Sequence, residues 1–322
     1  MNVLRGRRAL PIPAVLVALA LAGCSGNHGP IDPATAGPPT PLPADQTALP
    51  LKEGSLRFAV IGDSGTGDAA QRAVAKTLIE TRERFPYAFV IMLGDNLYGA
   101  DSAANFNRAF EVPYAPLLQA GVKFYAALGN HDNPHQRLYK LFNMGGERYY
   151  SFKPANGVRL FALDSNYMSP QQLAWLEKEL AASGSDWKIC FFHHPLYSSG
   201  ANHGPALELR EALEPLLVKH AVNVVFAGHE HFYERINPQK GVYHFISGGA
   251  GKLRRGDIQK NEATARGFDT DHHFMLIEIA GGELYFQTVS RGGHIVDGGL
   301  IHRQQRKAEP AAAAAASPSG QP

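Results

Sequence analysis

Cysteine is nearly absent. The 322 residues contain two, Cys24 and Cys190, too few for a disulfide framework or an all-cysteine zinc site. An excess of charge of one sign is missing as well. The formal net charge is +2, and three of the positive charges, Arg5, Arg7 and Arg8, stand in the first 23 residues, leaving a balance of about −1 without them. No long Lys/Arg run occurs elsewhere, so the electrostatic footprint of a nucleic-acid binder is lacking and no nucleic-acid partner is expected. Nor is there an apolar stretch long enough to cross a bilayer. Ala9–Ala22 falls short of the ~20 residues a spanning helix needs. What the chain does have is core material, 44% hydrophobic residues, and 14 histidines, the side chain most often found on metals.

The first residues read as an export signal. A basic segment, Met1–Arg8, precedes the short apolar stretch, which ends in Leu21-Ala22-Gly23-Cys24. That ending resembles the bacterial lipobox, in which the cysteine is lipidated and becomes the first mature residue. The expectation is a signal peptide over 1–23 and a lipid anchor at Cys24. With Ser25 following, the protein would be an exported lipoprotein of the cell envelope, in the outer membrane facing the periplasm if the host is Gram-negative. Residues 24–52, rich in Pro, Ala, Gly and Thr, read as a tether. Residues 307–322, with six consecutive alanines, read as a disordered low-complexity tail. Between them lies one domain, 53–306. The sequence leaves its oligomeric state open. Cys190, inside Lys188-Ile-Cys-Phe-Phe192, reads as a small core hydrophobe.

Inside the domain one pattern recurs. A β-branched or aromatic run is followed by a polar turn. Leu56–Ile61 precedes Asp63, Tyr87–Leu93 precedes Asp95, and Val122–Leu128 precedes Asn130-His131-Asp132. Ile189–Phe192 precedes His193-His194, and Val222–Phe226 precedes His229-Glu230-His231. Each run has the length of a buried strand. Helical stretches lie between some of them, at Ala69–Arg84, from Ser169-Pro170, and at Pro205–His220. Strands alternating with helices predict an α/β fold, whose strand ends gather along one rim where ligands bind. Five polar turns would converge there. Carboxylates and imidazoles together suit Zn, Mn or Fe. The potential ligands exceed what one ion needs, and two metals ~3.5–4 Å apart are the usual arrangement for phosphoryl transfer.

The ordered set Asp63-Ser-Gly65, Gly94-Asp95-Asn-Leu-Tyr98, Gly129-Asn130-His131-Asp132, His193-His-Pro195 and Gly228-His229-Glu-His231 is similar to the signature of the calcineurin-like metallophosphoesterase superfamily. With Gly65 in the first motif and Tyr98 in the second, it resembles most the small, single-domain purple acid phosphatases. The likeness spans roughly residues 55–302. It implies a metallophosphoesterase β-sandwich of two mixed sheets flanked by helices (α-β-β-α). It also implies a ligand set. Asp63, Tyr98 and His231 would hold the first metal, Asp95 would bridge, and Asn130, His193 and His229 would complete the second. The cofactors implied are two metal ions, Fe(III) at the Tyr98 site and Fe(II), Zn or Mn at the other. The implied reaction is hydrolysis of a small phosphorylated substrate, with metal-bound hydroxide attacking phosphorus in line. His131 and His203 would bind phosphate and protonate the leaving group. Alternatives on the same site are hydrolysis of phosphodiesters, nucleotides or pyrophosphate, and, on the same scaffold, a non-catalytic envelope binding protein.

Other residues read as support. Asp132 is expected to bond a neighbouring loop or to orient His131. Glu230 is expected to point away from the two flanking histidines, and Gly248–Gly251 to serve close backbone packing. His194 is expected to be either a wall residue or a substrate contact. His244, His272 and His273 read as sheet-surface histidines.

Overall fold

The computed structural model describes Pro39 and residues 49–303. Cys24, the signal segment, most of the tether and the alanine tail lie outside the described residues. In chain order the strands are β1 (Leu56–Ile61), β2 (Phe89–Met92), β3 (Lys123–Ala126), β4 (Tyr150–Ala155), β5 (Val158–Ala162), β6 (Trp187–Phe192) and β7 (Val224–Ala227). After them come β8 (Tyr233–Gln239), β9 (Val242–Ser247), β10 (Thr264–Phe268), β11 (His273–Ala280), β12 (Glu283–Ser290) and β13 (Ile295–His302). They form a six-stranded sheet, β13-β12-β11-β1-β2-β3, and a seven-stranded sheet, β10-β8-β9-β7-β6-β5-β4. Both are mixed. β1, β2 and β3 run parallel, as do β5, β6, β7 and β9, while antiparallel strands complete each sheet.

The period of two along each strand explains why the central strands are apolar on both faces. Phe58 and Val60 of β1 meet Ile189 and Phe191 of β6 and Phe226 of β7 between the sheets. Their neighbours Ala59 and Ile61 face outward beneath α1 (Ala69–Thr81), against Val74 and Leu78. On the opposite side Cys190 and Phe192 of β6 pack with Leu176, Leu180, Leu213 and Leu217. The α2 (Ala103–Phe106) and α3 (Ala115–Gln119) turns lie between β2 and β3. α4 (Pro170–Ala181) and α5 (Leu207–Lys219) supply the last four leucines. The result is the α-β-β-α sandwich the motif order implied, and Cys190 is the core residue it was read to be.

Local signals set the helix starts. Asp68 caps α1 by accepting from the Gln71 N–H, and Ser169 caps α4 by accepting from the Gln172 N–H. Packing begins ahead of residue 53. Leu49 lies in the core under the first sheet, and the Leu51 and Lys52 N–H groups donate to the Glu278 carboxylate at 2.9 and 2.5 Å. One expectation fails. His244 on β9, His273 at the head of β11 and His272 beside it are buried, at 4%, 0% and 9% exposure. Their strands are central in sheets covered on both faces, so a side chain there has no outer surface to reach.

Candidate metal centre

The polar turns after β1, β2, β3, β6 and β7 meet at one rim, bringing together every described residue of the proposed ligand set. Backbone bonds join the first two turns. The Asp63 N–H donates to the Gly94 carbonyl, the Gly65 N–H to the Asp95 carbonyl, and the Tyr98 N–H to the Gly65 carbonyl, at 3.0–3.2 Å. Asp63, Asp95 and His229 turn their chains with φ of 54°, 51° and 69°, the left-handed region in which Asp, Asn and His are the commonest non-glycine residues. The approach is close enough to need glycine at Gly248, where a Cβ would sit 2.6 Å from Asp63 Oδ2 and 2.2 Å from the Glu230 carbonyl oxygen. That is the packing role expected of Gly248–Gly251.

The donors fall into two nests. In the first, the Tyr98 hydroxyl lies 2.9 Å from Asp95 Oδ2 and 3.5 Å from both Asp63 Oδ1 and His231 Nε2, and His231 Nε2 is 3.5 Å from Asp63 Oδ1. In the second, Asn130 Oδ1 lies 2.9 Å from His193 Nε2 and 3.0 Å from His229 Nδ1, and the two ring nitrogens are 3.1 Å apart. Asp95 touches both, since its other oxygen, Oδ1, is 3.4 Å from His193 Nε2. The His193 tautomer follows from its far side. A carbonyl only accepts, so Nδ1–H donates to Leu93 at 2.9 Å and Nε2 faces the nest as a bare lone pair. Lone pairs of an amide oxygen and an imidazole so close together repel unless a cation lies among them.

Electrostatics points the same way. Burial, then the Asp95 carboxylate, pushes the Asp63 carboxyl well above the usual carboxylate range. Burial, then the Asp63 and Asp95 carboxylates, raises the Tyr98 phenol. Burial, then His193 and His194, brings His229 down to about 2, and burial with Arg254 brings His231 down to about 4. Acids that resist ionising beside bases that resist protonation mark a site short of positive charge. Its O/N donor set, free of sulfur, fits hard or borderline metal ions. Asp63, Asp95 and His231 form one group that could hold an ion, and His193, His194 and His229 another.

Supporting residues behave largely as read. Asp132 accepts from the Gly129, Asn96 and Leu97 N–H groups at 2.8–3.0 Å and from the Asn96 side chain at 2.9 Å. It thereby ties the loop carrying Asn130 to the loop carrying Asp95 and Tyr98, the first of its two expected roles. Glu230 points away from the nests and accepts from the Gly204 N–H at 2.7 Å, which fixes the loop carrying His203. His131 and His203, both exposed, flank the donors. His131 stands 5.0 Å from the Tyr98 ring, and its backbone N–H donates to Asp95 Oδ1 at 3.0 Å; His203 stands 4.3 Å from the His229 ring. Partial burial and the Arg254 guanidinium hold His203 below the usual imidazole range. His194 is fastened by Ser165, whose hydroxyl oxygen accepts from the His194 N–H at 3.0 Å and lies 2.9 Å from Nδ1.

Lys252 was missed. Its ammonium lies 4.5 Å from the centre of the Tyr98 ring, a cation against the face of the one phenol in the set. A lysine directly after Gly248–Gly251 was the available signal.

A two-sheet sandwich with paired oxygen and nitrogen donor nests on its rim defines a metal-dependent phosphoesterase. Residues 56–233 match the family described as calcineurin-like phosphoesterase, and the chain belongs to it. Relatives include tartrate-resistant acid phosphatase type 5 of Rattus norvegicus, 27% identical over 289 residues, spanning 74% of this chain and 88% of the relative. Another is purple acid phosphatase 7 of Arabidopsis thaliana, 28% identical over 294 residues, spanning 76% and 89%. Among solved structures the fold is shared with the purple acid phosphatase PPD1 of yellow lupin (Lupinus luteus), with TM-score 0.64, 21% identity, and 80% of this chain and 55% of that one covered. It is shared too with GAP50, the anchor in the inner membrane complex of Plasmodium, with TM-score 0.71, 20% identity, and 79% and 90% covered.

Proposed function

We propose that this chain is a two-metal acid phosphatase of the purple type, acting on small phosphate monoesters. The observation that carries the reading is Asp95, one oxygen in each nest, as a carboxylate shared by two ions requires. Asp63, Tyr98 and His231 would hold the first ion, with Fe(III) suited to the phenolate. Asn130, His193 and His229 would hold the second, as Fe(II), Zn or Mn. When bound, such a pair supplies Lewis acidity and lowers the pKa of water to near neutrality.

The chain's own residues do the rest. His131, beside Tyr98, and His203, beside His229, hydrogen-bond the phosphate, and a protonated imidazole there gives its proton to the departing alkoxide. Lys252 adds positive charge beside Tyr98, where a half-buried phenolate needs it. Asp132 and Glu230 keep the flanking loops in register, so the donors are set before substrate arrives.

Hydrolysis of p-nitrophenyl phosphate across pH, with metal analysis, tests the reading. The expected result is two metals per chain, an acidic optimum, and loss of activity and of one metal in Asn130→Ala. Iron at Tyr98 would also give a visible charge-transfer band that Tyr98→Phe removes. Protein carrying both metals but inert toward phosphate esters would reject the proposal. We further propose export and anchoring through a lipid on Cys24, supported by the basic and apolar segments before it. Cys24→Ser should move the protein from the membrane to the soluble fraction, and retention in the membrane fraction would refute the anchor.

A further inference from the structure

A cleft of about 880 Å³ opens beside the second nest, with Asn130 and His194 in its lining. Its volume falls in the range of small-molecule sites, ~300–1,000 Å³. The lining also includes the loop after β5 with Tyr167 and Met168, and the start of α5 with Leu207. Nothing described so far uses this space.

Tyr167 is the most exposed of the large hydrophobic side chains described, at 63%. It is nevertheless held in place. The Arg148 guanidinium lies 4.6 Å from the ring centre. Arg148 is itself fixed by Asp164, whose Oδ2 accepts from Nε at 2.6 Å and stands 2.5 Å from Nη2 as its ion-pair partner. The other Asp164 oxygen accepts from the Asn166 N–H at 3.0 Å, so the turn leading to Tyr167 is pinned as well. An aromatic ring backed by a cation and open to a cleft is a stacking platform.

Charge narrows the occupant. Among the described residues the one guanidinium in the lining is neutralised by Asp164, and Glu208 adds an exposed carboxylate to the lining. The cleft therefore offers, among the described residues, no free cation to a second anionic group, while Met168 and Leu207 give apolar surface. Resting on the phosphatase reading above, we infer that this cleft is the leaving-group subsite. It selects monoesters of uncharged alcohols bearing a flat aromatic ring, which stacks on Tyr167.

The test compares wild type, Tyr167→Ala and Tyr167→Phe as metal-loaded, full-length protein on phenyl phosphate and glycerol 2-phosphate. Comparing variants on each substrate removes the difference in intrinsic leaving-group reactivity. Tyr167→Ala should lower kcat/KM for phenyl phosphate about tenfold, mainly through KM, by loss of the stack. It should leave glycerol 2-phosphate within about twofold, and Tyr167→Phe should behave as wild type. Equal losses on both substrates, or none, would overturn the inference. Calorimetric binding of phenylphosphonate against methylphosphonate reads the cleft without turnover. A Tyr167-dependent preference for phenylphosphonate in inactive protein would sink the phosphatase reading and keep the cleft. The absence of a preference would sink the cleft alone.

Discussion

Two groups of histidines sit in this molecule in buried or half-buried surroundings and do opposite things. His193, His229 and His231 stand at the ends of β6 and β7, and His244 and His273 lie within the sheets. Burial depresses the basicity of all five, so a depressed imidazole does not by itself identify a metal site. What separates the groups is the company each ring keeps. His193 Nε2 faces an amide oxygen, another ring nitrogen and a carboxylate within 3.4 Å. His244 faces the Tyr197 ring at 5.0 Å, and His273 packs against Gly249 and the Tyr233 ring. Converging lone pairs call for a cation, whereas rings and glycine call for a neutral spacer.

The comparison breaks most visibly at His193. His193→Ala should abolish binding of one metal and cut p-nitrophenyl phosphate turnover by ~10³-fold or more, because the Lewis-acid contribution is lost. His244→Phe should leave metal content and turnover within about twofold, as expected of a site away from the chemistry. A large activity loss in His244→Phe would erase the distinction. Next in size is Asp132→Asn, which keeps the shape of the clamp but not its charge. Metal affinity should fall ~10–100-fold, as for other residues that orient ligands, measured by competition with a chelator. Unchanged affinity would make Asp132 a spacer as well.

The smallest effect sharpens the comparison from the sheet side. Folding holds His244 and His273 neutral, with burial bringing each down to about 3, against ~6.5 in the unfolded chain. The unfolded state therefore binds protons that the folded state refuses. Stability is fully present above pH ~6.5 and drains away as pH falls toward ~3, by up to ~1.4 kcal/mol per unit per histidine. His244→Phe removes one such slope, so its acid-unfolding midpoint should move to lower pH while stability at pH 7.5 changes little. Parallel wild-type and variant curves would show that His244 is protonated or solvated in the fold.

Much of this was legible in the sequence because the signals were local. Leu56–Ile61 is a strand with the bounds read from its apolar run, and Ser169 caps α4 as its Ser-Pro start implied. Motif order sufficed to bring Asp63, Asp95, Asn130, His193 and His229 to one rim, because parallel strands put their following turns on the same side. The long-range features were not legible. Lys252 meets Tyr98 only because the turn after β9 folds back under Asp63, where the Lys252 N–H donates to the Asp63 carbonyl. The helix from Ala69 stops at Thr81 rather than Arg84, where the chain turns to let Phe85 and Tyr87 enter the core. His244 lay within the uninterrupted run Tyr243-His-Phe-Ile246, and a strand apolar on both faces hides every side chain it carries. That run was the signal for its burial.

The left-handed turns at Asp63 and Asp95 bias how this chain could change over generations. Asparagine and glycine accept such a backbone readily; glutamate does not. A step from either aspartate to asparagine erases a charge yet leaves the turn intact and relieves the crowding of carboxylates in the first nest. A step to glutamate preserves the charge but strains the turn and drives a longer arm into a space already closed, by Gly248 at Asp63 and by Gly129 at Asp95. Drift at these positions thus runs more easily toward a stable, silent scaffold than toward a rearranged but working centre.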